Sequence, residues 1–170
     1  MKDRRRVLLL IEDDPNDRLI TQSVLGKVGA GYRVQMVRNG QEGIDYLDGV
    51  GPYADRQKFP FPTILITDLK MPILDGFGVL EHIQNHPQWS IIPMVVLSAS
   101  QDTDDIHRAY QLGANSYLFK PQGYEELSGL LLKLFDYWTA CEVPQVDERG
   151  QEARTDCHGK LGARYAGRTS

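Results

Sequence analysis

Four short apolar runs, each closing on a polar residue, constrain this chain more than any other feature. Residues 7–11 run into Glu12-Asp13-Asp14, 64–67 into Asp68, 94–97 into Ser98, and 117–119 into Lys120. Runs this short, apolar instead of alternating, suit the strands of a parallel sheet covered on both faces. In an open α/β sheet, ligands bind beyond the carboxyl ends of the strands. Three strand ends then bring carboxylates and a hydroxyl to one edge, and the fourth brings a lysine. Such a set can hold a divalent cation, a nucleophile and a counter-charge for phosphate.

The rest of the chain alternates to match. Strands are predicted at 7–12, 32–37, 63–67, 93–97 and 116–119, and helices at 15–28, 40–49, 76–85, 102–112 and 123–138. Five consecutive strand–helix units argue for an α/β fold, a doubly wound parallel sheet with helices on both faces. Asp14 before Pro15 reads as an N-cap followed by proline at the first helical position. Asn39 and Glu42 have capping-box spacing, and Gly113 stands where a helix C-cap belongs. Tyr124, Leu127, Leu130, Leu131, Leu134, Phe135 and Trp138 form a stripe of period near 3.6, read as core.

A chain of 170 residues favours one domain, placed at 1–138, plus an extension at 139–170. Hydrophobic content of 41% and charged content of 25% are ordinary for a globular domain with a real core. A net charge of −4 gives no reason to expect bulk nucleic-acid binding. The basic run at residues 2–6 reads as a solvated tail. No apolar stretch approaches the roughly 18 residues of a membrane span, and no signal peptide is evident. Cys141 and Cys157 form no CxxC pair, which disfavours structural zinc and fits a cytoplasmic protein with reduced thiols.

Two stretches interrupt the alternation. Residues 49–62 are long for a helix-to-strand connection, where about 2–6 residues is usual. Their aromatics, Tyr53, Phe59 and Phe61, read first as packing back on the domain and second as a partner-contact loop. Residues 139–170 are polar and charge-mixed, with disorder expected from about Gln151 and an extended arm at 143–146.

Asp68 at a strand end can attack phosphorus as a nucleophile. Repulsion between carboxylate and phosphate opposes that attack, so a cation is needed. Mg²⁺ takes hard oxygen ligands and is usually held by one or two carboxylates plus phosphate. Asp13 and Asp68 are the best direct ligands, with Glu12 acting through water and Asp14 already explained by its cap. Lys120 offers a point charge to phosphoryl oxygens, or neutralises the acids. Ser98 could donate its hydroxyl, and gains weight from its register with Asp68 and Lys120. No GxxxxGK[ST], GxGxxG or GxSxG motif occurs. His82 and His86 lie four apart without HExxH spacing and are read as a surface pair, not as zinc ligands.

The segments Ile11-Glu12-Asp13-Asp14-Pro15, Asp68-Leu69-Lys70-Met71-Pro72-Ile73-Leu74-Asp75-Gly76, Leu97-Ser98-Ala99 and Tyr117-Leu118-Phe119-Lys120-Pro121 together resemble a response-regulator receiver domain of two-component signalling, over about residues 5–138. The resemblance implies a flavodoxin-like fold of strand order 2-1-3-4-5. It implies that Asp68 accepts phosphate from a phosphohistidine on a sensor histidine kinase. Asp13, Asp68 and the backbone carbonyl of Lys70 would bind Mg²⁺, with Glu12 assisting. Lys120 would pair with the phosphoryl group, and the Lys120–Pro121 bond would be cis. Ser98 and Tyr117 would be the switch pair. Lys70 and Ser100 stand where family members tune dephosphorylation.

The long insert, the polar tail with no helix-turn-helix and the ending Phe135-Asp136-Tyr137-Trp138 are similar to the stand-alone regulators partnered with bacterial phytochromes. That likeness implies a bacteriophytochrome kinase as partner, no direct DNA binding, and a homodimer in which the segment after the last helix takes part. On this reading the protein is not an enzyme beyond promoting its own phosphorylation and dephosphorylation. Three alternatives compete: an interaction module of receiver fold independent of phosphorylation, a phosphatase of the haloacid dehalogenase type, and a flavin carrier. The second wants an acid where Lys70 stands. The third is disfavoured by the acids at the first strand end.

Overall fold

The computed structural model describes residues 6–28, 31–147 and 149–151. Five strands, β1 (Arg6–Ile11), β2 (Tyr32–Val37), β3 (Ile64–Thr67), β4 (Met94–Ser98) and β5 (Ser116–Phe119), form one parallel sheet. The strand order is β2-β1-β3-β4-β5, the flavodoxin-like arrangement. Five helices intervene: α1 (Pro15–Val28), α2 (Gly40–Asp48), α3 (Gly76–Gln84), α4 (Thr103–Gln111) and α5 (Tyr124–Ala140).

The apolar runs are explained by burial on both faces. Successive strand residues point to opposite sides, and both sides are covered here. Leu8, Leu10, Ile64, Ile66, Val95 and Leu97 pack with Val24 of α1 and Leu127, Leu131 and Phe135 of α5. Leu9, Ile11, Leu65 and Val96 face the other way, with Leu47 of α2, Leu80 and Ile83 of α3 and Ala109 of α4.

The caps lie where the sequence puts them. The Asp14 carboxylate accepts from the backbone N–H groups of Asn16 and Asp17. Asn39 Oδ1 accepts from Glu42 N at 2.9 Å, but Glu42 returns its own bond to Arg38 N, one residue before the cap. Helix α2 ends on Gly49 in the left-handed region, φ 68°.

The aromatics of residues 49–62 pack back on the domain. Tyr46, Tyr53 and Phe59 form a mutually tilted cluster with centroids 5.2–6.0 Å apart, and Phe61 packs on Trp89 at 5.1 Å. The Arg56 guanidinium donates to the carbonyls of Tyr46 (2.7 Å) and Leu47 (2.5 Å), tying the insert to the last turn of α2.

Three features depart from expectation. Tyr124, counted in the buried stripe, is exposed, because it opens α5 ahead of the first turn that reaches the sheet. Among the described residues no peptide bond is cis, so Lys120–Pro121 is trans; an X–Pro bond prefers trans by about 0.5–1 kcal/mol, and Lys120 reaches its partners from that isomer. Helix α5 continues to Ala140, beyond the expected end at 138. The Arg6 side chain then donates to the carbonyls of Trp138 and Cys141, satisfying otherwise orphaned acceptors. The segment that follows packs on its own domain: Val143 is buried in the α1–α5 cluster and Val146 rests on the opposite cluster. The disorder expected from about Gln151, Cys157 and the basic residues 2–5 fall outside the described residues, apart from Gln151 itself. No described helix is long and apolar enough to cross a membrane.

Candidate acidic site at the carboxyl edge of the sheet

The loops after β1, β3, β4 and β5 meet at one edge, as parallel register requires. Lys120 Nζ lies 2.6 Å from Asp68 Oδ2, 2.6 Å from Glu12 Oε2 and 3.1 Å from Asp17 Oδ2. Its side chain is 9% exposed, that of Glu12 3% and that of Asp68 10%, so these charges interact with little water between them. Glu12, Asp13 and Asp68 each place a carboxylate oxygen within 4.8 Å of the other two.

Asp68 is held by its own loop. Its Oδ1 accepts from Leu69 N at 2.6 Å and Lys70 N at 3.3 Å, leaving Oδ2 to the lysine. Gly76 opens α3 directly against this turn; a Cβ there would come within 2.1 Å of the Asp68 carbonyl oxygen. Asp75 caps the same helix through Gly78 N. The Asp75-Gly76 pair is thus the packing condition that lets α3 start beside Asp68.

Burial pushes the Glu12 carboxyl up from 4.5 to about 7; Lys120 opposes the shift and Asp68 adds to it. Burial also works against the Lys120 ammonium, but the Glu12 and Asp68 carboxylates outweigh it, and its proton is held more tightly than on a free lysine. Three carboxylates, Glu12, Asp17 and Asp68, meet this one ammonium, and Asp13 adds a fourth beside Glu12 and Asp68. The donor set is all hard oxygen and carries excess negative charge, which fits a divalent cation such as Mg²⁺.

Ser98 ends β4 fully buried, and its hydroxyl accepts from Ser100 N at 3.3 Å. Tyr117 lies with its ring against the α2–α4 core cluster and donates its hydroxyl to the Ser100 carbonyl at 2.9 Å. Lys70 turns away from the carboxylates to Asp105 at 2.8 Å, and Ser100 donates to the same carboxylate at 2.6 Å. Lys70 and Ser100, separate in sequence, are joined through Asp105.

The structure therefore brings together Glu12, Asp13, Asp68 and Lys120, with Ser98 at the end of β4 and Tyr117 within β5. Sequence reasoning missed Asp17, Arg18 and Asp105. Asp17 carries a faint signal as an acid in the first turn of α1. Arg18 donates to the carbonyls of Glu12 and Asp13, 2.7 and 2.8 Å away, and pins the acidic turn. Asp105 sits on a helix 37 residues past Asp68, and nothing local marks it.

Fold and site define a doubly wound α/β domain with an acid–lysine pocket at a topological edge. The chain belongs to the response regulator receiver domain family, whose family model matches residues 8–131. It is related to phytochrome response regulators: it is 31% identical over 133 residues to the response regulator Rcp1 of Synechocystis sp., covering 78% of this chain and 88% of that protein. The phosphorylated cyanobacterial phytochrome response regulator RcpA superposes with a TM-score of 0.78 at 31% identity, covering 83% of this chain and 99% of that one. A Mn²⁺-bound form of Rcp1 superposes with a TM-score of 0.77 at 30% identity, covering 82% and 99%.

Proposed function

We propose that this receiver domain accepts a phosphoryl group on Asp68 from a phosphohistidine of a sensor kinase, a bacteriophytochrome being the kinase class its relatives suggest. An Asp68 oxygen attacks phosphorus, the P–N bond to histidine breaks, and the imidazole leaves with the bonding pair. Asp13, Asp68 and the Lys70 carbonyl, assisted by Glu12, are the groups that would hold Mg²⁺. When bound, the cation neutralises the repulsion between carboxylate and phosphoryl oxygens.

Lys120 is released from Asp68 Oδ2 as that oxygen becomes the bridge of an acyl phosphate, and turns to the new phosphoryl oxygens. The added charge, about −1.5 to −2, brings strong acceptors that Ser98 and Lys120 can satisfy only if their loops move. Tyr117 follows Ser98. The change then reaches the face of α4, β5 and α5, where Tyr110, Phe119 and Tyr124 are exposed. Self-association belongs to the same proposal, with the segment after α5, which packs through Val143 and Val146, taking part.

The observation that carries this reading is the buried lysine bonded at once to the strand-end aspartate and to the acid that follows the first strand, amid excess carboxylate. The test is intact mass after incubation with acetyl phosphate and Mg²⁺, beside Asp68→Asn and beside a chelated control. One added phosphoryl group, lost in both controls, supports the reading. If acetyl phosphate and a phosphorylated kinase domain both fail, the domain is an interaction module independent of phosphorylation.

A further inference from the structure

A second cluster of ligand-bearing side chains lies at the other end of the helices. Asp48, His82 and His86 each place a ligand-capable atom within 4.8 Å of the other two. Asp48 is the last residue of α2; His82 lies in the final turn of α3 and His86 just beyond it. Helix α3 begins beside Asp68 and rises about 1.5 Å per residue, so its far end is roughly 13 Å from the acidic site.

We propose that Asp48, His82 and His86 form a site for a divalent transition metal of the zinc type, separate from the phosphoryl site. His86 Nδ1 lies 2.7 Å from the His82 carbonyl oxygen. A carbonyl only accepts, so Nδ1 carries the hydrogen and the ring's lone pair is on Nε2. Metal-bound histidines are typically fixed by such a bond from the other ring nitrogen. Stacking on Trp89, with centroids 4.2 Å apart and planes 20° from parallel, fixes the same ring.

His82 Nε2 faces Asp48 Oδ1 at 2.8 Å. Metal binding replaces the hydrogen between those two atoms; it is released, or the ring keeps one on Nδ1. Two imidazoles and one carboxylate suit Zn²⁺ and its neighbours in the first row, whereas Mg²⁺ prefers an all-oxygen set. Three protein ligands leave one tetrahedral position for water. The nearby cation, Arg56, is engaged with the Tyr46 and Leu47 carbonyls. The histidine spacing reads as a surface pair in the sequence because the third ligand lies 34 residues upstream on another helix. An occupied site would clamp the ends of α2 and α3 together.

The test is calorimetric titration with ZnCl₂ in excess MgCl₂, so that hard-oxygen sites are already competed. The parent is compared with His82→Gln and His86→Gln, and circular dichroism checks that each variant folds. One equivalent of Zn²⁺ should bind with Kd at or below about 10 µM, weakened at least about tenfold in each variant. Should either variant misfold, Asp48→Asn, at an exposed position, replaces it. As a second readout, Ni²⁺ should quench Trp89 fluorescence in a Trp138→Phe background, and the quench should vanish in His86→Gln. Zn²⁺ binding that is unchanged in both histidine variants, binding no tighter than about 1 mM, or an unquenched Trp89 would overturn the proposal.

Discussion

At the carboxyl edge of the sheet, three carboxylates, those of Glu12, Asp17 and Asp68, share one buried ammonium. At the amino edge of the same sheet, Phe61, Trp89, Val143 and Val146 close the core, and Arg6 satisfies the end of α5. The first edge keeps charges that burial disfavours and that an added cation or phosphoryl group would rearrange. The second is mostly apolar; Arg6 bonds the last carbonyls of α5, and the Trp138 indole N–H is buried without a partner. Stability at the amino edge should therefore ignore Mg²⁺, whereas at the carboxyl edge Mg²⁺ should matter.

The largest effect is expected where the core is sealed. Phe61→Ala removes a ring that is 2% exposed and packed on Trp89, and should cost about 3–5 kcal/mol. Denaturant unfolding with and without Mg²⁺ should give the same loss; a loss that depends on Mg²⁺ would break the contrast between the edges.

Lys120→Ala should cost about 3 kcal/mol without metal, since it leaves buried carboxylates facing one another. Mg²⁺ should restore part of this stability and should bind the variant more tightly than the parent, because a competing positive charge is gone. Calorimetric Mg²⁺ titration of both proteins checks the sign.

The next effect is on pH. The Glu12 carboxyl is raised from 4.5 to about 7, chiefly by burial. Between those values the folded state binds more protons at Glu12 than the unfolded chain does. Metal-free stability should therefore fall as pH rises through that window and level off above it. Mg²⁺ favours the ionised carboxylate, so it should flatten the slope, and its affinity should rise up to about pH 7. Glu12→Gln should remove both trends in melts run across pH.

The smallest expected change in stability is that of Lys70→Ala. The Lys70–Asp105 pair is exposed on the lysine side, and its loss should cost less than about 1 kcal/mol. Lys70 is also the Ser100 hydroxyl's neighbour across Asp105, so the lifetime of the phosphorylated state should change while stability barely does. Following intact mass over time after removal of the phosphodonor measures this.

The same contrast explains what could be read in the sequence. Strand ends were legible because a two-faced sheet demands continuous apolar runs, and the first polar residue after each run stands at the carboxyl edge. Element boundaries agree within about two residues, since Pro15, Asn39, Asp75 and Gly49 mark chain turns locally. The strand order came from family resemblance, because it has no local signal, and the switch roles expected of Ser98 and Tyr117 rest on that resemblance alone. Arg56 on the α2 carbonyls, Asp105 between Lys70 and Ser100, and Asp48 beside His82 were not legible. Each joins residues that only the tertiary fold makes neighbours. Tyr124 misled because a helical stripe does not show where its first turn leaves the core.

The central claim is that Asp68, among several adjacent carboxylates, receives the phosphoryl group. The direct measurement is borohydride reduction of the phosphorylated protein followed by peptide mass mapping, because reduction converts an acyl phosphate to an alcohol at the residue that carried it. Homoserine is expected at position 68, formed only when Mg²⁺ and a phosphodonor are both present. Reduction at Asp13 or Glu12 instead, with position 68 intact, would contradict it.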